Sequence, residues 1–439
     1  MGFRLFQHIS TTRALQIFQL QRLGAVVLTS VLFAKSGLGM ADIGAYEMLL
    51  YLGTMFTFLW VNGLLQGIPS VFAHLHHEKR NTFLFNVFLI FLTLSLLLFA
   101  VLLIGRPWVV PFFTGQSELP YFVLFCVYLL LNVPTLPVEY VYLLREQPAP
   151  ILWWGTVTFG LQVGAFFVPV LLGWGLLPAF QMLALLAALK FVWACRLFLI
   201  PGAIRIDRAT LQYYLRFSWP LIANLIVGNL ILLFDNWLVG WYYQDAAVFA
   251  VFRYGSREFP LATALATALA TSMIPKLIET PEKGMEEMKK RSLRLMHVLF
   301  PVTIVLLFLT KPLFPLVFNQ HFEQSADLFN IYLLLTASRV LLPNAIVLAK
   351  GFPEAILRVG IMELVLKIIL GFVFIQWMGL TGLAISVIIA FWMEKGALIW
   401  FLEKKQGIPT SRWLEVKWYA GYVILLLLAF FLSTWMVWA

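Results

Sequence analysis

Apolar residues fill the chain from residue 14 to residue 438 in blocks of about twenty, separated by short polar breaks. A helix of roughly twenty apolar residues crosses a bilayer core, and it satisfies its own backbone N–H and C=O groups. The blocks predict thirteen transmembrane helices, at 14–34, 43–72, 82–104, 121–144, 151–172, 176–199, 215–238, 246–273, 293–314, 328–348, 356–377, 380–401 and 418–438. Composition agrees: 62% of residues are hydrophobic and only 12% charged. A soluble globule carries about twice that charge. The fold class is therefore all-α integral membrane.

Lys and Arg set the orientation, because cytoplasmic loops of membrane proteins hold an excess of them. With the N-terminus inside, Lys79, Arg80, Arg145, Arg205, Arg208, Lys276, Lys289, Lys290, Lys404 and Lys405 fall on the inner side. The outer loops keep Lys35, Arg106 and Lys311. The net charge of +10 then coats an inner face that meets anionic membrane lipids, and nucleic acid is not called for. The two cysteines, Cys126 and Cys195, lie within spans and suggest no disulfide framework.

The longest polar segments are 200–214, 275–292 and 403–417, all on the inner side; outer turns such as Met378-Gly379-Leu380 are short. No outer loop is large enough to carry acid–base chemistry, and no phosphate-binding Gly-rich loop is present, so no catalytic residue is assigned. Transport remains.

The chain also repeats itself. Asp245-Ala-Ala-Val-Phe-Ala matches Asp42-Ile-Gly-Ala-Tyr-Glu in register, and both long spans run to an Ile-Pro pair, Ile68-Pro69 and Ile274-Pro275. Between the halves, 207–217 reads as an amphipathic surface helix with Asp207 as its N-cap. The expected organisation is an N-lobe of six spans (1–203), a C-lobe of the linker helix and six more (204–405), and an additional C-terminal span (406–439). Two such pseudo-symmetric six-helix lobes imply a central cavity between them.

On these residues the chain resembles a family. In the first half they are Asp42, Gly44, Tyr46, Glu47, Gly63 and Leu64. In the second they are Ser218-Trp219-Pro220, Phe234-Asp-Asn-Trp-Leu-Val-Gly240 and Ser272-Met-Ile-Pro-Lys276. The pattern is similar to that of the polysaccharide flippases of the multidrug/oligosaccharidyl-lipid/polysaccharide (MOP) exporter superfamily, over about residues 10–402. The resemblance implies a MATE-like fold and alternating access. It implies movement of an undecaprenyl-diphosphate-linked oligosaccharide from the inner to the outer leaflet of a bacterial cytoplasmic membrane, beside polysaccharide-assembly proteins. Lipid II flippases of the same superfamily commonly carry one span more than the thirteen read here.

A lipid-linked diphosphate sugar needs cations for its head, polar groups for its sugars and an opening for its tail. Charges within spans are costly, and they face a bundle interior or water. Arg253 and Arg257, spaced i to i+4, project from one helix face, and their guanidinium forks suit phosphate oxygens; the alternative is that one of them pairs with Glu258 or Glu47. Arg339 and Arg22 are further candidate substrate-binding cations, although Arg22 is also placed to snorkel. Tyr254 and Ser256 are candidate sugar contacts. Glu363 and Lys367, also i to i+4, read as a structural ion pair, and Lys190 and Lys395 as snorkelling side chains without a role. Pro134 and Pro137 bend the fourth span beside Glu139. No cofactor or metal is implied; H+ or Na+ is the coupling ion if there is one, with Glu47 and Glu139 as the carboxylates to carry it.

Two alternatives stand beside the flippase. One is a lipid II flippase or a MATE-type drug and cation antiporter of the same superfamily, for which a drug-binding cavity would be acidic rather than basic. The other, from a different class, is a membrane-embedded enzyme or scaffold of polysaccharide assembly.

Overall fold

The computed structural model describes residues 10–438, and among them the regular structure is entirely helical. The chain divides into two compact units, Met1–Asn229 with Gly240–Phe249, and Leu230–Val239 with Ala250–Ala439. This division differs from the expected boundary at residue 203. The linker helix does not end before the seventh span but runs into it as one 36-residue helix, whose first part belongs to the first unit.

The first unit contains α1 (Thr11–Lys35), α2 (Met40–Ala73), α3 (His77–Ile104), α4 (Arg106–Thr114), α5 (Phe122–Asn132), α6 (Val138–Leu144), α7 (Pro148–Leu171), α8 (Leu176–Phe198) and most of α9 (Arg208–Tyr243). Asp207 caps α9 as expected, accepting from the Thr210 backbone N–H at 3.2 Å. In a membrane the lipid tails are as apolar as a leucine side chain, so helices associate through close backbone approach and hydrogen bonds. Gly63 and Gly67, one turn apart on α2, supply that approach. A Cβ at Gly63 would sit 2.8 Å from the Ile222 backbone nitrogen, and one at Gly67 would collide with Ser218 Oγ. Tyr214 Oη donates to the Leu64 carbonyl at 2.8 Å across the same contact. An aromatic-rich core around Phe83, Phe88, Phe91 and Phe198 completes the unit.

The fourth expected span is broken. Pro134 and Pro137 cannot donate to a helical ladder, and α5 gives way to a 3-10 turn, Val133–Thr135, before α6 begins. Ser95 Oγ on α3 donates to the freed Leu130 carbonyl at 2.9 Å. Irregular backbone survives at membrane depth only when it is re-satisfied in this way.

In the second unit α10 (Ala246–Gly255) begins with residues of the first, followed by α11 (Pro260–Glu279) and α12 (Pro281–Val317). Then come α13 (Glu323–Leu333), α14 (Leu335–Arg339), α15 (Pro343–Ala349), α16 (Pro353–Lys405) and α17 (Val416–Trp438). The eighth span, expected as one helix over 246–273, is instead two. Pro260 disfavours helical backbone at the residue before it, and Phe259 is extended (φ −63°, ψ 108°). The expected inner loop 275–292 is largely helical too. α11 reaches Glu279, only Thr280 separates it from α12, and Glu287 bonds both Lys276 (2.6 Å) and Arg291 (2.5 Å).

Eleven of the described segments are long and apolar enough to cross a membrane. The 53-residue α16 reverses at Gly379, whose φ of 59° and ψ of −140° suit only glycine, so it holds two arms, 353–378 and 380–405. Each arm is roughly 39 Å long at 1.5 Å per residue. The expected spans at 356–377 and 380–401 fall on these two arms, and the last expected span falls on α17. α17 is pinned to α12, with Tyr422 stacked on Phe300 (ring centroids 5.0 Å apart) and hydrogen-bonded to His297 at 2.6 Å.

Candidate functional site

In the first unit, the α5–α6 break brings polar groups together at membrane depth. Asn132 ends α5, where the helix is interrupted, and its Oδ1 accepts from Lys190 Nζ of α8 at 2.5 Å. Lys190 therefore does not extend to a membrane surface as expected; the Asn132 side chain within the bundle offers an acceptor instead. Its ammonium lies 6.0 Å from the Trp154 ring centroid. About two turns further along the broken span, Glu139 is buried and faces Arg22 of α1 at 4.0 Å. The Arg22 guanidinium also donates to Gln19 Oε1 on its own helix. α1 is held against α7 by Gln21 Nε2, which donates to Thr156 Oγ1 at 2.8 Å, and by the close approach of Gly155 to Phe18. The cluster sets two cations against one carboxylate, and the Arg22 side chain is half exposed. Glu47 on α2 is buried, at 2% exposure.

In the second unit, the break between α10 and α11 rearranges the expected arginine pair. Arg253 lies in the last turn of α10, whereas Arg257 lies in the non-helical link, so the two do not share a helix face. α10 already ends at Gly255, and Pro260 keeps Phe259 extended, so the helix does not resume until after Arg257. Arg253 Nη1 donates to Asn236 Oδ1 at 3.3 Å, and the Arg257 guanidinium lies 5.3 Å from the Tyr254 ring centroid. Tyr254 is 1% exposed and stacks on Phe322 at 4.3 Å, which makes it part of the packed interior. Ser256 is partly exposed at the break.

Arg339 reaches back to this break. Its Nε and Nη2 donate to the two Glu258 oxygens at 2.9 and 2.5 Å, a bidentate fork, and its guanidinium covers the Phe391 ring at 4.5 Å. A fork of this kind fixes geometry as well as charge. Glu258 thus pairs with Arg339 rather than with Arg253 or Arg257 among the contacts seen.

The expected Glu363–Lys367 pair does not form. Lys367, 1% exposed, crosses to α9, where Nζ meets Asp235 Oδ2 at 2.8 Å and the Ile231 carbonyl at 2.6 Å. A fixed carboxylate and a backbone oxygen together outcompete a flexible acid one turn away on the same helix. Glu363 Oε1 has no hydrogen-bond partner among the described residues. Lys395 does not snorkel either; it bonds Glu394 at 2.8 Å and Asn344 at 3.2 Å. Local spacing reported none of these partners, although a cation in the middle of an apolar run already marks each site as one where a partner is needed.

The model of the polysaccharide biosynthesis protein family matches residues 38–327, about two-thirds of the chain. The chain belongs to this family. Its helical arrangement is similar to that of the lipid II flippase MurJ in an inward closed conformation, at 16% identity and a TM-score of 0.69. That match covers 96% of this chain and 98% of the other. An inward-facing multidrug resistance MATE transporter of the MOP superfamily is similar at 16% identity and a TM-score of 0.62, over 91% and 98% of the two chains. A MOP superfamily transporter from Pyrococcus furiosus, described by the reverse polarity of its binding pocket, follows at 16% identity and 0.55, over 89% and 95%. No curated protein matches the sequence significantly. The fold is thus the one shared by MurJ and the MATE transporters, on a chain of the polysaccharide biosynthesis protein family whose described residues hold eleven segments long and apolar enough to cross a membrane.

Proposed function

We propose that this polysaccharide-family transporter is a flippase. It moves an undecaprenyl-diphosphate-linked oligosaccharide from the inner to the outer leaflet of a bacterial cytoplasmic membrane by alternating access, with its N-terminus in the cytoplasm. The observation that carries this is the family match across residues 38–327, because it covers both Glu139 and the arginine-bearing break at 253–258. The residue chemistry supports it. Arg22 and Lys190 lie around Glu139 in the first unit, and Arg253 and Arg257 lie at an interrupted helix in the second. Cations at membrane depth suit a diphosphate better than a cationic drug. Proton or sodium coupling, if present, falls to Glu139 or Glu47.

The test is translocation of a fluorescent lipid-linked oligosaccharide in proteoliposomes. Arg253→Glu with Arg257→Glu is expected to lower the rate about a hundredfold, as for loss of two charged contacts at about 1.4 kcal/mol per decade, while purified yield and thermal unfolding stay near wild type. Normal transport by the double variant would make both arginines structural. Absence of transport by the wild type, with the lipid inserted and accessible, would overturn the function itself.

A further inference from the structure

One carboxylate in the second unit has no cation of its own. Glu363, on the first arm of α16, is 5% exposed, and its Oε1 has no hydrogen-bond partner among the described residues. The charges that act on it are Glu394, Lys367, Lys395 and Arg339. Each of these is matched elsewhere. Lys395 meets Glu394 at 2.8 Å, Arg339 forks onto Glu258, and Lys367 meets Asp235 of α9 at 2.8 Å. The remaining polar groups of the cluster carry no charge. Asn344 of α15 donates to Glu394 Oε1 at 3.1 Å, and Tyr332 of α13 lies within reach of Asp235 and Glu258. Glu363 is thus the acid left over, and an unpaired carboxylate is costly to bury as an anion. Taking up a proton removes that cost.

A proton fits this place better than a metal cation. A hard metal cation needs a shell of oxygens, whereas Asp235 Oδ2 and both Glu394 oxygens already face ammoniums. A proton needs one oxygen.

The position of Lys367 gives that proton a consequence. Lys367 lies one turn beyond Glu363 on the same helix, the order that favours an intrahelical ion pair. It is nevertheless drawn to α9, where it also donates to the Ile231 carbonyl at 2.6 Å. A neutral Glu363 accounts for this, because Asp235 then offers the stronger attraction. Asp235 Oδ1 has no hydrogen-bond partner among the described residues, so this carboxylate leans on Lys367. An ionised Glu363 competes for the same ammonium.

We propose that Glu363 is a proton-binding site whose proton decides whether Lys367 ties α16 to α9 or turns back along α16. Loss of the proton leaves a carboxylate that accepts an N–H from Lys367, and Asp235 gives up that contact. The site is separate from Glu139 and Glu47, and it operates whatever cargo the protein moves.

Two measurements on the full-length protein in lipid nanodiscs test it. With the glutamates labelled by carbon-13 to set them apart from aspartates, infrared spectroscopy follows the carboxyl bands as pH is raised. A protonated Glu band is expected to outlast those of exposed glutamates, which ionise at about pH 4.3. Glu363→Gln should remove part of it. Amide exchange, corrected for the intrinsic effect of pH, reads the switch itself. Residues 230–239 should exchange about tenfold faster once Glu363 ionises, the shift that one proton makes per pH unit. In Glu363→Gln they should exchange slowly at every pH. Replacing potassium by sodium at fixed pH should change neither signal. An unaltered band in Glu363→Gln, or pH dependence of exchange that survives in it, would overturn the proposal. So would pH-independent exchange in the wild type, which needs no variant to fold, or a response to sodium, which would make the ligand a metal cation. Transport enters neither measurement, so failure of the flippase assay leaves the proton site standing.

Discussion

The two compact units treat charge at membrane depth in opposite ways. In the second, most charges are closed into pairs: Lys367 with Asp235, Arg339 with both Glu258 oxygens, and Lys395 with Glu394. The Lys367 and Asp235 side chains retain only 2% and 8% of their exposure, so the pair is sealed from any ligand. In the first unit the cluster is open. Arg22 keeps 49% exposure and stands 4.0 Å from Glu139, and Lys190 has a neutral amide as its hydrogen-bond acceptor. A sealed pair contributes no net field and holds helices in register. An open cluster with surplus cation holds helices loosely and leaves charge for an anion. Charge inside a membrane protein is therefore not in itself a sign of a binding site; the balance of partners decides.

The largest effect should come from opening a sealed pair. Lys367→Met leaves Asp235 buried without its ammonium, and removal of one partner from such a pair costs about 3–5 kcal/mol. Restoring neutrality with Asp235→Asn in the same chain should recover most of that loss, because the desolvated charge is then gone. Thermal unfolding of the purified protein in detergent, single variants against the double, makes the comparison. If the single and double variants unfold at the same temperature, the pair is not an organising contact of α9 and α16.

An intermediate effect is expected in the open cluster, and on function rather than stability. Arg22→Gln removes a half-exposed charge from a loose contact, worth only about 0–1 kcal/mol. Translocation should nevertheless fall about tenfold, the equivalent of one charge-assisted phosphate contact at about 1.4 kcal/mol. Destabilisation as large as that of Lys367→Met would show that the first unit's cluster is as structural as the second's, and the contrast between the units would fail.

These differences show which parts of the molecule were legible in the sequence. Spans were, because apolar runs of the right length report bilayer crossing directly. So were the Asp207 cap and the Gly379 turn, whose residue types are tied to particular backbone geometries. The break before Pro260 was written in the sequence but hidden by hydropathy, since Ser256 to Phe259 interrupts an otherwise apolar stretch only briefly. That one break moved Arg257 off the face of Arg253. Partners in space were not legible. Lys367 has an acid one turn away at Glu363 and another far back in the chain at Asp235, and only packing on α9 selects the second. Lys190 was passed over for the same reason, because its acceptor, the Asn132 side chain, lies 58 residues back in the chain on α5. The family match then supplied what no single residue could, membership of the polysaccharide biosynthesis protein family.

The smallest effect lies outside the membrane, at the start of α9, where charge is neither sealed nor surplus but spent on a helix end. Asp207 accepts from the Thr210 hydroxyl at 2.8 Å and from the Thr210 backbone N–H at 3.2 Å, and Lys79 stands 3.5 Å away. The Thr210 hydroxyl first, then its N–H, and then Lys79 hold the Asp207 carboxyl below its ordinary range. A carboxyl lowered in the folded state stabilises the fold fully above its unfolded pKa of about 3.9, and this contribution fades as pH falls through the folded value. Asp207→Ala should therefore cost about 1 kcal/mol of local stability at pH 7, read as faster amide exchange in the first turns of α9. The gap between wild type and Ala should narrow once the pH drops below about 4. Asp207→Asn keeps an acceptor for the Thr210 N–H and should lose only a few tenths of a kcal/mol, with the acid-side dependence removed. A gap that instead widened on acidification would mean that Lys79 and solvent, rather than the cap, govern this end of the helix.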